Sequence, residues 1–231
     1  MPTILKNIII KILRRPASRF LSELQLSEST APADPLLLFK DWFDFATKID
    51  PDFANALTLS TATSAAVPSN RIVLLKDYDE MGFVFYTNYG SRKATELEEN
   101  PRASMVFWWK EIYRQVRIEG ITERVSQAES ENYFASRPRG SKIGAWASRQ
   151  SSAIASRHEL VNKVKELQDK YKESEVPLPP FWGGYRLTPL VIEFWQGKDD
   201  RLHDRLRYRK TVNDPALSNS NETWIRERLS P

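Results

Sequence analysis

The order of strand and helix patterns along the chain is the feature that most limits its fold. Between residues 56 and 125 lie segments that alternate or run apolar as strands do, at 56–63, 71–76, 83–88, 103–109 and 113–125. Helical patterns follow, and two more strand patterns come at 190–197 and 201–210. Strands, then helices, then strands predict one α+β domain, mainly β, with an antiparallel sheet or barrel at its centre.

Several local patterns give more detailed predictions. The segment RIVLLK (71–76) is apolar on both faces, which predicts a central strand, and FVFYTN (83–88) is predicted to pair back with it as a hairpin. Ser141 is placed to cap the helix that follows Pro138. Helices are predicted at residues 35–49, 91–99, 128–137, 141–148 and 155–172, and a rigid Pro-rich loop at 176–184.

The composition excludes several kinds of site. The chain has no cysteine and two histidines among 231 residues, so thiolate chemistry is excluded and a histidine-rich metal site is not expected. The net charge of +4 is too small to indicate nucleic acid by itself, and no apolar run is long enough to span a membrane. No GxGxxG or GxxxxGK[ST] array occurs, so a bound phosphate must be held in another way.

The first residues form a basic, amphipathic segment. Residues 1–22 contain five Lys or Arg and no acid, as in an organelle presequence, but we favour a loosely docked helix and a cytoplasmic protein. We expect residues 1–33 to form an N-terminal arm, flexible or acting as a lid, and residues 34–231 to form the main domain.

Two groups of residues are candidates for anion binding. Arg92 and Lys93 lie in the first turn of the 91–99 helix, where the helix dipole disfavours cations, and this anomaly indicates a phosphate site. Tyr133 and Arg137 lie one helical turn apart and, with Ser141, form a second candidate. Arg71 and Lys76 bracket one strand pattern, and Tyr86 and Thr87 end the next one, so all four are expected to converge on the first site.

The stretch EFWQGKDDRLHDR (193–205) contains the third candidate group. If it is a strand, Arg201, His203 and Arg205 share one face, which calls for an anion. Polar or aromatic groups that suit a heterocycle are Gln115, Gln150, Ser151 and Trp195, although each is also compatible with a structural role. From the residues alone, two phosphorylated aromatic ligands are indicated, but not their identity.

The sequence resembles the pyridoxamine 5′-phosphate oxidase family from about Asp34 to Pro231. The motifs that carry the resemblance occur in the family's order: RIVLLK, FYTNYGSRKA, RQVRIEG, YFASRPRGSKIGAWASRQSS, PLPPFWGGYRL, IEFWQG, RLHDR and ERLSP. The resemblance implies a split β-barrel homodimer with FMN in a cleft between subunits. It also implies oxidation of pyridoxine or pyridoxamine 5′-phosphate to pyridoxal 5′-phosphate, with hydride transfer from C4′ to the flavin and reduction of O2 to H2O2.

The resemblance also implies roles for individual residues. Arg201 and His203 become the catalytic pair. The implied FMN contacts are Arg71, Ile72, Val73, Leu74, Lys76, Tyr86, Thr87, Arg92, Lys93, Gln115, Gln150, Ser151, Trp195 and Arg205. The implied substrate contacts are Lys76, Tyr133, Arg137, Ser141, Arg201 and His203.

The sequence departs from the family pattern at two places, and two other functions are compatible with it. The family's N-terminal lid usually contains an Arg and a Tyr, but no tyrosine precedes Tyr78 here, and residues 52–56 read DFANA instead of the usual acidic-Pro-Asn-Ala pattern. One alternative is a flavin oxidase of secondary metabolism, similar to the phenazine-pathway relatives. The other is a non-enzymatic module that binds nucleic acid through its Arg and Trp side chains.

Overall fold

The computed structural model describes residues 26–211 and 224–231, so the predictions for residues 1–22 lie outside the described residues. The described helices are α1 (Pro35–Ile49), α2 (Arg92–Glu99), α3 (Gln127–Ser136), α4 (Arg139–Ala147) and α5 (Arg157–Lys170). The described strands are β1 (Ala56–Ala62), β2 (Pro68–Leu74), β3 (Asp77–Asp79), β4 (Gly82–Asn88), β5 (Arg102–Trp109), β6 (Arg114–Arg124), β7 (Trp182–Gln196), β8 (Asp204–Lys210) and β9 (Trp224–Arg228).

Local sequence signals explain where the helices begin. At α1, the Asp34 carboxylate accepts a hydrogen bond from the Leu36 N–H at 2.8 Å, and Pro35 occupies the first turn. At α3, Ser126 and Glu129 form a reciprocal capping box. These caps fix the helix starts that the sequence patterns predict to within one residue.

The described strands form one nine-stranded sheet. The strand order is β2-β1-β5-β6-β7-β4-β3, and β8 pairs with β7 and β9. The pairs β3–β4, β4–β7, β7–β8 and β8–β9 are antiparallel. The predicted fold class, α+β and mainly β, is confirmed. Across residues 26–211 and 224–231, no helix is long and apolar enough to cross a membrane.

The chain forms two compact units, and the four boundaries between them fall within the strands β1, β5, β6 and β7. One unit, the cleft unit, comprises residues Leu59–Ala103 and Gly120–Thr188. The second unit comprises the described residues within 1–58, 104–119 and 189–231. The expected division into an arm of residues 1–33 and a domain of residues 34–231 stays a prediction.

The prediction that residues 71–76 form a central strand is wrong. The strand β2 stands at one end of the strand order, and its residues alternate between exposed and half-buried. The hairpin prediction is corrected as well, because β4 pairs with the short strand β3 and with β7. The apolar residues on both faces of β2 have another explanation, since Ile72, Val73 and Leu74 line a cleft.

Three further predictions about local structure are corrected. Pro138 is the N-cap of α4, so Ser141 lies inside the first turn of that helix and does not cap it. The predicted loop at 176–184 ends earlier, because β7 begins at Trp182. The strand β8 begins only at Asp204, after a turn in which Arg201 has a left-handed backbone with φ of 61°. Arg201, His203 and Arg205 therefore do not share one face of a strand, and that prediction is wrong.

Candidate active site

A cleft of about 800 Å³ lies within the cleft unit, in the size range of small-molecule sites. It is lined by β2, the end of β4, the first turn of α2, parts of α3 and α4, and the turn that follows α4. The structure brings together here most of the residues that the sequence singles out: Arg71, Ile72, Val73, Leu74, Lys76, Tyr86, Thr87, Arg92, Lys93, Tyr133, Arg137, Ser141, Gln150 and Ser151.

Lys93 is a buried cation at one end of the cleft. Its Nζ donates to Thr87 Oγ1 and to Gln150 Oε1, both at 3.1 Å, and to Ser91 Oγ at 3.4 Å. None of the ion pairs among the described residues includes Lys93. Burial, and secondarily the charge of Arg71, lower the pKa of Lys93 to about 8. The ammonium group is therefore held by neutral oxygens, and an anion in the cleft can stabilise its charge.

Glu96 holds the two arginines at the same end of the cleft, Arg71 and Arg92, although it is not among the predicted site residues. Its buried carboxylate accepts from Arg92 Nε at 2.8 Å, from Ser69 Oγ at 2.6 Å and from Arg71 Nη2 at 3.4 Å, and also from the Thr61 hydroxyl. Burial opposes ionisation, but these hydrogen bonds and the arginine charge outweigh it and lower the pKa of Glu96 to about 2.

Glu96 also joins the first turn of α2 to β2, because Arg92 and Arg71 both donate to it. Arg92 lies four residues before Glu96, the spacing at which side chains meet on a helix, and this was the one signal in the sequence. Arg71 also donates to Leu59 O at 3.3 Å and to the hydroxyls of Thr61 and Ser69, both at 2.5 Å. The Arg71 guanidinium is thus fixed in place from several directions.

Three nearly parallel aromatic rings form one wall of the cleft. The Tyr86 and Tyr133 rings stack with their centroids 4.0 Å apart, and the Tyr86 and Trp182 centroids are 5.4 Å apart. Gly184 makes this packing possible, because a Cβ there would lie 2.8 Å from Cε1 of Tyr86. Burial raises the pKa of Tyr86 to about 12, so its hydroxyl stays protonated and can donate a hydrogen bond.

Arg137 lies at the C-cap of α3, beside these rings. Its guanidinium carbon lies 4.6 Å from the centroid of the Trp182 ring. Its Nη1 atom is buried and has no hydrogen-bond partner in the part of the chain that the structure describes. Burial lowers the pKa of Arg137. A buried donor without a partner is costly, and an anionic ligand in the cleft would satisfy it.

The turn after α4 supplies neutral polar groups to the cleft. Asn88 Nδ2 donates to Ser148 O at 3.1 Å, which fixes the start of the turn, and Ser151 has a left-handed backbone with φ of 72°. Thr87 Oγ1 donates to Gln150 Oε1 at 3.0 Å, so Gln150 accepts from both Thr87 and Lys93. The turn is thereby attached to β4 and α2.

The remaining predicted site residues lie in the second unit. There the His203 ring lies 4.6 Å from the Trp195 ring, and its Nδ1 accepts from the Lys198 N–H at 3.1 Å. Neutral His203 therefore carries its proton on Nε2. Arg205 donates to Glu193 at 2.8 Å and to Ser230 O at 2.8 Å. Arg201 is exposed, and Gln115 is half-buried in β6.

Comparison with known proteins identifies the family. The pyridoxamine 5′-phosphate oxidase family model matches residues 52–171, and the model of the pyridoxine 5′-phosphate oxidase C-terminal dimerisation region matches residues 182–231. The pyridoxine/pyridoxamine 5′-phosphate oxidase of Acaryochloris marina is 50% identical over 206 residues, which cover 89% of this chain and 90% of that protein.

Solved structures resemble the chain as well. PhzG from Burkholderia lata 383, solved in complex with tetrahydrophenazine-1-carboxylic acid, is 32% identical with a TM-score of 0.81, covering 90% of this chain and 98% of that one. A pyridoxamine 5′-phosphate oxidase-related, FMN-binding protein from Nostoc punctiforme has a TM-score of 0.65 at 15% identity, covering 90% of this chain and 100% of that one, and supports the split-barrel fold alone. From the two family models and the 50% identity over most of both chains, the protein belongs to the pyridoxamine 5′-phosphate oxidase family of oxidoreductases.

Proposed function

We propose that the protein oxidises pyridoxine 5′-phosphate and pyridoxamine 5′-phosphate to pyridoxal 5′-phosphate, with FMN as cofactor and O2 as electron acceptor. The observation that carries the proposal is that one cleft holds two cations away from full solvent exposure, the buried Lys93 and the half-buried Arg137, and neither has a carboxylate partner among the described residues. Two phosphorylated aromatic molecules, a flavin and a substrate, match two such cations beside a wall of stacked rings.

The FMN phosphate is assigned to the end of the cleft formed by β2, β4 and α2. Lys93, Arg71 and Arg92 supply cationic donors, and the single carboxylate of Glu96 leaves this group with a net positive charge that suits a phosphate dianion. Gln150 and Ser151 supply neutral polar groups, so the donor set fits the molecule. When bound, FMN supplies the electron acceptor that takes hydride from C4′ of the substrate and passes the electrons to O2.

The substrate phosphate is assigned to Arg137, with the hydroxyls of Tyr133 and Ser141 as further donors. All three side chains line the cleft, and the unpartnered Nη1 of Arg137 is a donor that the phosphate would satisfy. Lys76 lines the same cleft and is assigned to both ligands. Because binding at the phosphate is remote from the reacting carbon, it orients C4′ and holds the substrate while the reaction proceeds.

Arg201 and His203 are assigned to the reacting end of the substrate. The Nε2–H of His203 can donate a hydrogen bond, or exchange a proton with the group that is being oxidised. Oxidation of the alcohol removes two electrons and two protons, which O2 takes up as H2O2. The amine additionally consumes water and releases ammonia. Trp195 and Gln115 are assigned to FMN, as is Arg205, whose guanidinium is oriented by the buried Glu193.

The active form is proposed to be a homodimer. Residues 182–231 match a dimerisation region, and these residues include Trp195, Arg201, His203 and Arg205. If this region forms the dimer interface, an active site can include its residues from a second copy of the chain. Equilibrium sedimentation of the FMN-loaded protein should give about twice 26.7 kDa, and a monomer that retains FMN and activity would contradict the dimer.

A substrate panel tests the proposed reaction. FMN-loaded protein is supplied with pyridoxine 5′-phosphate, pyridoxamine 5′-phosphate, unphosphorylated pyridoxine and a reduced phenazine carboxylic acid, while aldehyde formation and H2O2 are followed. We expect equimolar aldehyde and H2O2 from the two phosphorylated B6 compounds, and at least tenfold lower kcat/KM for pyridoxine because the Arg137 contact is lost. Turnover of the phenazine alone would favour the other branch of the family, to which PhzG belongs.

A further inference from the structure

We propose that Trp182 is a positioning residue, whose indole face holds the Arg137 guanidinium and so makes the cleft selective for phosphorylated over unphosphorylated ligands. The inference rests on the proposed function, in which Arg137 binds the substrate phosphate. Trp182 lies in the segment that the sequence predicts to be a Pro-rich loop, and it is not among the predicted site residues.

The contacts of Arg137 differ from those of the other arginines in the cleft. Arg71 and Arg92 are both bound by the carboxylate of Glu96. Arg137 has no ion pair among the residues that the structure describes, and its neighbours are aromatic, with the Trp182 centroid at 4.6 Å and the Phe134 centroid at 5.5 Å from the guanidinium carbon. Its position is therefore set by ring faces.

A ring face supports a guanidinium in a way that a carboxylate cannot. The π-face attracts the cation electrostatically but takes up none of the N–H groups in the guanidinium plane. The charge is not neutralised, and the five N–H donors stay available for a planar, bidentate contact with a phosphate. As this arrangement predicts, the Nη1 atom of Arg137 is buried and has no hydrogen-bond partner among the described residues.

Trp182 is itself held firmly enough to act as a support. It is the first residue of β7, lies opposite Asn88 in the register with β4, and is only 7% exposed. The Phe134 ring meets it edge-on at 5.2 Å, and Tyr86 stacks on it at 5.4 Å. A ring fixed by these contacts restricts the flexible arginine side chain to one position. Less conformational entropy is then lost when a phosphate binds.

Equilibrium binding of a matched ligand pair tests the inference. The probes are 4-deoxypyridoxine 5′-phosphate and 4-deoxypyridoxine, which lack the oxidisable group and differ only in the phosphate. They are titrated by calorimetry into FMN-loaded protein carrying Trp182→Leu, Trp182→Phe or Arg137→Ala. The control is Trp146→Phe, because Trp146 packs against α5 in the same unit and does not line the cleft.

We expect Trp182→Leu to weaken binding of the phosphorylated probe about tenfold, and binding of the unphosphorylated probe less than twofold. Selectivity is the ratio of the dissociation constants of the two probes. Because Trp182→Phe keeps a ring face, the logarithm of this ratio should change by less than half of its change in Trp182→Leu. In the double variant Trp182→Leu/Arg137→Ala, the loss should not exceed that of Arg137→Ala alone, because both changes remove the same contact. Trp146→Phe should leave both dissociation constants unchanged.

The outcomes separate this inference from the proposed function. If Arg137→Ala leaves binding of the phosphorylated probe unchanged, the assignment of Arg137 to the phosphate is wrong, and the inference fails with it. If Arg137→Ala weakens that probe while Trp182→Leu weakens both probes equally or neither, only the role of Trp182 is overturned. Should Trp182→Leu not fold, Trp182→Met, which fills the space without a ring face, replaces it with the same expected losses.

Discussion

Lys93 Nζ lies 3.1 Å from Oε1 of Gln150, although 57 residues separate the two in the sequence. The contact joins the first turn of α2 to the turn after α4, and the same oxygen accepts from Thr87 at 3.0 Å. A buried ammonium that rests on neutral oxygens is prepared for an anion, because no carboxylate has to be displaced when one binds. This arrangement leads to the first two predictions.

Replacing Lys93 by Met should weaken FMN binding far more than it affects folding. The ammonium is buried, and loss of one charge-assisted bond costs about 1.5–3 kcal/mol, which corresponds to roughly tenfold to a hundredfold in the dissociation constant. Fluorescence titration of the apoprotein with FMN measures the affinity, and urea unfolding of the same apoprotein measures stability. Lys163→Met, an exposed lysine of α5, is the control. Unchanged affinity together with a large loss of stability would show that Lys93 is structural.

Binding of FMN should depend on pH through Lys93. Because burial lowers its pKa to about 8 in the free protein, and a bound phosphate favours the charged form, affinity should change little between pH 7 and about 8. It should then fall as pH rises through 8 towards the higher pKa of the complex, by up to tenfold per pH unit. Titrations at intervals from pH 7 to 9 measure the profile, and Lys93→Met should flatten it. A profile that is identical in the parent and the variant assigns the titration to another group.

Glu96 should contribute stability that is lost in acid. Its pKa is lowered from an ordinary 4.5 to about 2, so its contribution is complete above about pH 4.5 and disappears as pH falls to about 2. The difference in unfolding free energy between the parent and Glu96→Gln should therefore be largest at neutral pH and shrink between pH 4.5 and 2. Urea unfolding of both apoproteins at several pH values measures it, with Glu166→Gln as a surface control. A difference that does not vary with pH contradicts the ionised role of Glu96.

Arg201, His203 and Arg205 should have separable roles. Arg201→Ala should retain FMN but lose roughly tenfold to a hundredfold in kcat/KM, as expected for one charge-assisted contact to the substrate. Arg205→Ala should lose FMN, and excess FMN should restore part of its rate. His203→Ala should keep FMN and slow anaerobic flavin reduction in stopped-flow measurements. If Arg201→Ala loses FMN as readily as Arg205→Ala, or His203→Ala reduces flavin at the parent rate, the roles are assigned wrongly.

The sequence predicted the elements and many of the cleft residues, because these depend on local patterns. Helix α1 was predicted at its observed bounds, and the cations of α2 stood out because they oppose the helix dipole. The wrong prediction for β2 has a physical cause, since a strand that lines a cleft can be apolar on both faces without being central.

Other features depend on contacts between distant parts of the chain and could not be predicted. Glu96 is buried by donors from β1 and β2, 35 and 27 residues away, and the four-residue spacing of Arg92 and Glu96 does not reveal these donors. Trp182 stands in a Pro-rich segment typical of loops, while its role comes from α3 and β4 packing against it. The turn before β8 was missed because the alternating pattern of residues 201–205 resembles a strand.

The measurement that tests the proposed function most directly is the anaerobic reaction of the FMN-loaded protein with one substrate. Pyridoxine 5′-phosphate is mixed with the holoprotein in the absence of O2, while the flavin absorbance and the aldehyde product are followed together. We predict that the yellow flavin band bleaches, that one equivalent of pyridoxal 5′-phosphate forms per bound FMN, and that admitting O2 restores the band with release of H2O2. A holoprotein whose flavin stays oxidised with both pyridoxine and pyridoxamine 5′-phosphate, or a folded protein that binds no FMN, would contradict the proposal.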